Sequence, residues 1–174
     1  MSNLLLRLVC LASGLAILLS GCGFHLRGNA ELPDVMQRTY LNVPSGNQTL
    51  LRELQRSLSS GSTSVVGDPT LSTATLNVLS AQQIQRVLSV SNIGRPLEKE
   101  VAYQVQFSLT TPKGTLIQPQ TLTLKRTFAY DEANALGDAE QAQVLYDSLQ
   151  RDMAQLILFR IEAIGRHSGA TGVH

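Results

Sequence analysis

Cysteine is nearly missing. The chain has 174 residues and two cysteines, Cys10 and Cys22. From residue 23 onward there is no thiol, which excludes a disulfide, a Cys-based metal site and a cysteine nucleophile. Histidine is almost as scarce, with three residues, His25, His167 and His174. None stands where a folded site with a nucleophile can be assigned, so a Ser-His-Asp arrangement has no basis. No metal-ligand spacing and no phosphate loop occurs. Glu98 and Glu100 would share one face of a strand, as paired acids do, but two solvated charges with Lys99 between them is the commoner arrangement. Excess charge is lacking too, with 14 basic and 13 acidic side chains. A neutral chain argues against nucleic acid or a polybasic membrane patch as the main partner. The sequence implies no enzyme, no metal and no cofactor.

What the chain does have is a strong beginning. A short head with Arg7 precedes an apolar run from Leu8 to Leu19, followed by Ser20-Gly21-Cys22. A basic head, an apolar middle of about 7–15 residues and small residues at a cut site form a secretory signal. Cysteine directly after Ser-Gly makes it a lipoprotein signal. The Cys22 thiolate can take a diacylglycerol, and cleavage of residues 1–21 frees its amine for a further acyl chain. The run is too short for a membrane span, which needs about 20 apolar residues. Each buried CH₂ adds about 0.8 kcal/mol, so three acyl chains anchor far more firmly than one. Gly23, where an Asp would favour inner-membrane retention, makes the outer membrane the expected address. Cleavage leaves 153 residues with 13 charges of each sign, since only Arg7 is lost. That suits one domain, residues 22–166, with a Gly/Ser/Thr-rich disordered tail at 167–174.

Along the body, residues 39–43 alternate apolar and polar and stop at Pro44, which predicts a strand. Leu50, Leu51, Leu54 and Leu58 recur at helical spacing. Residues 70–90 read as one unusually long strand, with Leu76, Val78, Ile84 and Leu88 on a shared face. Its length exceeds the usual 5–6 residues or so, and its far end would project beyond a normal core. Val101, Tyr103, Val105, Phe107 and Leu109 alternate strictly with polar residues, the clearest strand in the chain. Thr111-Pro112-Lys113-Gly114 closes a hairpin. Residues 121–130 return, with Leu122, Leu124, Arg126, Phe128 and Tyr130 on one face. Residues 131–138 form a polar connection. A helix over 139–164 carries the stripe Leu145, Leu149, Met153, Leu156, Ile157, Ile161 and Ile164.

The order β-α-β-β-β-α predicts an α+β fold: a two-layer α/β sandwich, with a mostly antiparallel four-stranded sheet and two helices on one face. Phe107, Val105, Leu124, Phe128, Leu149 and Leu156 should be buried. The other sheet face would be polar, offering Gln82, Gln83, Gln85, Gln104 and Gln106 as neutral donors and acceptors. Such a surface suits either a wet contact with another protein's polar interior or plain solvent. An aromatic, a leucine and an arginine follow Cys22 within five residues, so the fold should start close to the membrane; the alternative is an interfacial aromatic among headgroups.

Gly21-Cys22-Gly23-Phe24-His25-Leu26-Arg27-Gly28 at the processing site resembles the LPS-assembly lipoproteins, the LptE (RlpB) family. Arg126-Thr127-Phe128-Ala129-Tyr130-Asp131 and the order of elements are similar as well. The resemblance implies a non-enzymatic outer-membrane lipoprotein that plugs the β-barrel LptD, supports its folding, binds lipopolysaccharide (LPS) and helps deliver it to the outer leaflet. The competing reading is another outer-membrane lipoprotein, an adaptor or inhibitor of a periplasmic partner. A periplasmic hydrolase is a third.

Phosphates on lipid A favour Arg and Lys, because charge-assisted hydrogen bonds are roughly twice as strong as neutral ones. Arg95 and Lys99 flank the turn between the longest strands, and Arg86 lies on the strand leading to it. Arg95 precedes Pro96 and is held extended. Lys125 and Arg126 are further candidates, although adjacent strand residues face opposite ways. The alternative pairs Arg95 and Lys99 with Glu98 and Glu100.

Overall fold

Strict alternation builds the centre of the molecule. Val101, Tyr103, Val105, Phe107 and Leu109 are fully buried along one face of β4, Pro96–Thr111. The computed structural model describes residues 32–170, with side chains to Arg166. Cys22, the signal at 1–21 and His25 therefore lie outside the described residues. So do residues 171–174 and the side chain of His167.

Five strands form one sheet: β1 (Arg38–Asn42), β2 (Ser64–Val66), β3 (Ala74–Val90), β4 and β5 (Gly114–Ala129), in the order β2-β1-β3-β4-β5. The long pairings β3–β4 and β4–β5 are antiparallel, and β1 runs parallel to both its neighbours. Two helices, α1 (Gln48–Ser59) and α2 (Ala135–Ala170), pack together against the face that carries the core. The two-layer α+β arrangement is the one the sequence pattern implies. The strand number is five instead of four, because the three residues of β2 are too few to show alternation.

The core unites both layers. Leu50, Leu54 and Leu58 of α1 are fully buried, one turn apart, as are Leu149, Met153, Ile157 and Ile161 of α2. Phe107, Val105, Phe128 and Leu149 are buried as expected, with Leu124 and Leu156 partly buried against them. α2 starts at Ala135, four residues before the start at Ala139 that the sequence implies. A 3-10 turn over Glu132–Asn134 precedes it, and Asp138 accepts from the Asp131 backbone N–H at 2.7 Å. It also continues to Ala170, so residues 167–170 are helical and not the tail expected from their composition.

One expectation about β3 is overturned. Leu76 and Val78 pair with Leu109 and Phe107 on the helix side. An extra residue, Leu79, then breaks the ladder, and Ser80 pairs with Gln106. A β-bulge shifts the side-chain alternation by one. Beyond it, Ala81, Gln83 and Gln85 lie opposite Val105, Tyr103 and Val101, while Ile84 lies opposite Ala102. Ile84 and Leu88 are thus not core residues; they are 38% and 46% exposed.

Candidate functional site

β3 and β4 extend as a hairpin whose far half is exposed on β3 along both faces. Its turn is tight. Ser91 N–H donates to the Arg95 carbonyl at 2.7 Å, Gly94 N–H to the Ser91 carbonyl at 2.9 Å, and Arg95 N–H to Ser91 Oγ at 3.1 Å. Gly94 has φ +78°, a left-handed conformation that glycine adopts without steric cost.

The five basic candidates fall into three places. At the hairpin end, Arg95 Nε lies 3.6 Å from Glu132, and the Lys99 ammonium sits 3.3 Å from the centre of the Tyr130 ring. These contacts replace the alternative pairing with Glu98 and Glu100. Glu98 instead accepts from Ser89 Oγ at 2.9 Å. On the helix side, Arg126 reaches Asp152 of α2 at 3.0 Å and ties the two layers together.

The third place is on the sheet face away from the helices. Arg86 Nε approaches Glu100 Oε1 to 2.7 Å, and Lys125 Nζ approaches the same oxygen to 3.7 Å. Three adjacent strands supply this triad. Arg86 lies opposite Glu100, and Lys125 opposite Ala102, in whose row Ile84 also stands. Glu100 is buried at 9% exposure, whereas the Arg86 and Lys125 side chains are about half exposed. The sequence offered the two cations singly. Glu100 as the acid between them, and Glu132, Tyr130 and Asp152 as partners of the others, depend on strand register and were not legible.

Between the triad and β1 the outer face is uncharged. Gln82 lies opposite Gln104, which donates to Thr123 Oγ1 at 3.2 Å. Asn42 donates to Asn77 at 3.1 Å, and Asn77 to Thr110 at 3.2 Å. The five glutamines do not share this face. The bulge sends Gln83 and Gln85 to the helix side, leaving Gln82, Gln104 and Gln106 outside. Among the described residues no group of three or more His, Cys, Asp or Glu side chains could hold a metal ion. No described helix is long and apolar enough to cross a membrane.

Residues 36–161 match the family model of LptE, described as lipopolysaccharide-assembly. The chain is 32% identical over 154 residues to the LPS-assembly lipoprotein LptE of Pectobacterium atrosepticum, covering 87% of this chain and 83% of that one. With the protein of the same name from Yersinia pestis it shares 28% identity, covering 87% and 74%. The solution structure of lipoprotein B from Nitrosomonas europaea superposes with a TM-score of 0.69 at 30% identity, over 87% of this chain and 98% of that one. A minor lipoprotein from Acinetobacter baumannii shares the fold, with a TM-score of 0.63 at 24% identity, over 74% and 92%.

Proposed function

Since the chain belongs to the LptE family of lipopolysaccharide-assembly proteins, we propose that it is an outer-membrane lipoprotein, held by acyl chains on Cys22, that plugs the β-barrel LptD. In this role it supports the folding of the barrel, binds LPS and assists its delivery to the outer leaflet. It performs no covalent chemistry.

The observation that carries this reading is the uncovered sheet face. A large surface of amides and hydroxyls, with side-chain hydrogen bonds linking β1 to β3, β3 to β4 and β4 to β5, matches the polar interior of an outer-membrane barrel. Neutral polar groups exchange water for lumen partners at little desolvation cost compared with charges. The cations at the hairpin end, Arg95 and Lys99, and the pair on the outer face, Arg86 and Lys125, are the candidates for LPS phosphate. Arg126 is a weaker one, because it lies opposite Val101 on the helix side, where Asp152 of α2 engages it.

Photo-crosslinkers at Gln82, Gln104 and Thr123 should capture the barrel lumen, whereas one at Gln83, which the bulge turns to the helix side, should capture it poorly. Depletion of the protein should reduce the abundance of correctly folded barrel. Unchanged barrel folding and abundance after depletion would overturn the plug role.

A further inference from the structure

Two turns meet at one end of the sheet. β1 and β3 run parallel away from this end, with Thr39 opposite Ala74, and the β3–β4 turn lies at the other. A 3-10 turn over Asp34–Met36 leads into β1, and another over Pro69–Leu71 leads into β3. Thr73 stitches them together. Its Oγ1 donates to the Val35 carbonyl at 2.6 Å and accepts from the Arg38 N–H at 3.1 Å. Asp68 shapes the second turn, accepting from Thr70 N–H at 2.8 Å and from Thr70 Oγ1 at 2.7 Å. Each turn leaves one apolar side chain outside, Val35 at 40% and Leu71 at 58% exposure. The exposed charges of these turns and of the neighbouring strand ends balance, Asp34 and Asp68 against Arg38 and Lys113. Arg166 of α2 pairs with Glu162.

The chain also enters the fold at this end. Pro33 lies against Gly165 of α2, and Met36, two turns of chain from Val35's outward side, is fully buried. Ten residues separate Cys22 from Leu32, and ten residues of chain span at most about 35 Å. The 17 residues of β3 carry the hairpin turn about 55 Å farther away, at roughly 3.3 Å per residue. An acylated Cys22 therefore confines the Val35–Leu71 end to the neighbourhood of the bilayer and leaves the hairpin end remote from it. We propose that this end is a lipid-contacting face: in the acylated chain Val35 and Leu71 rest among phospholipid head groups, and the hairpin stands away from the bilayer. Balanced charge gives no electrostatic pull toward anionic lipid, so apolar burial and the acyl chains hold the face down. The pose keeps Val90, Ile93 and Leu97, all exposed at the hairpin end, out of lipid and open to a protein. The inference rests on the acylation of Cys22 proposed above and describes the chain before a barrel encloses it.

The chain contains no tryptophan, so L71W and I93W each supply a single reporter at an already exposed position. The lipidated full chain is reconstituted in phosphatidylethanolamine/phosphatidylglycerol vesicles whose acyl chains are brominated near the head groups. L71W should emit to the blue and be quenched by the brominated lipid. I93W should emit as in water and be quenched only from solution. The L71W signal should persist in about 1 M salt, where the Debye length falls to about 3 Å. V35D added to the L71W chain should lose most of the lipid quenching without releasing the protein, because the acyl chains still hold it. Lipid quenching of I93W in place of L71W, a L71W signal lost in salt, or L71W open to a water-soluble quencher overturns the lipid face while the acylation stands. A wild-type protein without acyl mass overturns the acylation, and this pose with it.

Discussion

The Tyr103 hydroxyl donates to Asn47 Oδ1 across 3.0 Å. Tyr103 is fully buried in β4, and Asn47 stands just before α1. An Asn at this position usually caps its own helix; here its oxygen serves the sheet and makes no cap bond. The bond therefore fixes where α1 sits on the sheet. Tyr103→Phe should lose about 0.5–1.5 kcal/mol of stability in urea unfolding, the usual net value of one hydrogen bond. An unchanged midpoint would mean that water satisfies Asn47 equally well.

Burial also pushes the Tyr103 hydroxyl from 10.0 up to about 12, and raises that of Tyr146. In the unfolded chain Tyr103 would ionise near pH 10, while the folded chain keeps its proton. Between pH 10 and 12 the unfolded state therefore binds fewer protons, and stability falls as pH rises. The contribution is fully present below pH 10. Tyr103→Phe should flatten this loss; an identical alkaline slope in the variant would contradict it.

Gly165 of α2 lies against Pro33, just ahead of β1. A Cβ built on Gly165 would come within 2.6 Å of Pro33 Cγ. The proline ring cannot swing aside as a flexible side chain would, so any larger residue must push the N-terminal segment off the helix. Overpacking of this kind costs about 1–3 kcal/mol. Gly165→Val should lower the urea midpoint with little change in slope. A variant as stable as the wild type would show that the segment at Pro33 yields freely.

How much of this was legible differs from strand to strand. β4 reads directly from its sequence because its two faces differ in polarity at every step from Val101 to Leu109. β3 does not. A bulge adds one residue and leaves no mark in composition, so the parity of Leu76 and Val78 was carried through to Ile84 and Leu88, on the wrong side. The start of α2 was hidden for another reason. Leu136 is exposed, so the first turn shows no apolar period, and a 3-10 turn with Asp138 under Asp131 opens the helix instead. Arg86, Glu100 and Lys125 meet only through the register of three strands. Each was visible alone, and their meeting was not.

Cys22 carries the expectation with the widest consequence. If it receives three acyl chains, the mature chain should partition with membranes and show a blocked amino terminus. Each buried CH₂ adds about 0.8 kcal/mol, so removing the chains removes the anchor altogether. Cys22→Ala should release the protein to the soluble periplasmic fraction, or hold it with an uncleaved signal. A wild-type protein with a free amino terminus and no acyl mass would contradict the anchor.

The Arg86–Glu100 pair should be energetically distinct from an ordinary surface ion pair, and the molecule contains its own control. Arg56 and Glu53 meet at 2.9 Å on α1, three residues apart. Such helix pairs contribute roughly 0.2–0.5 kcal/mol and fade in salt. Arg86 and Glu100 meet at 2.7 Å between strands, and the Glu100 side chain is only 11% exposed, against 19% for Glu53. Lower exposure strengthens the attraction and weakens screening, and Lys125 extends the pair into a network. Double-mutant cycles by urea unfolding should give a coupling near 1 kcal/mol for Arg86–Glu100, the upper end for partly exposed pairs. That coupling should persist in about 1 M salt, where the Debye length falls to about 3 Å, while the helix pair's should vanish. Equal couplings with equal salt sensitivity would make Glu100 an ordinary surface acid.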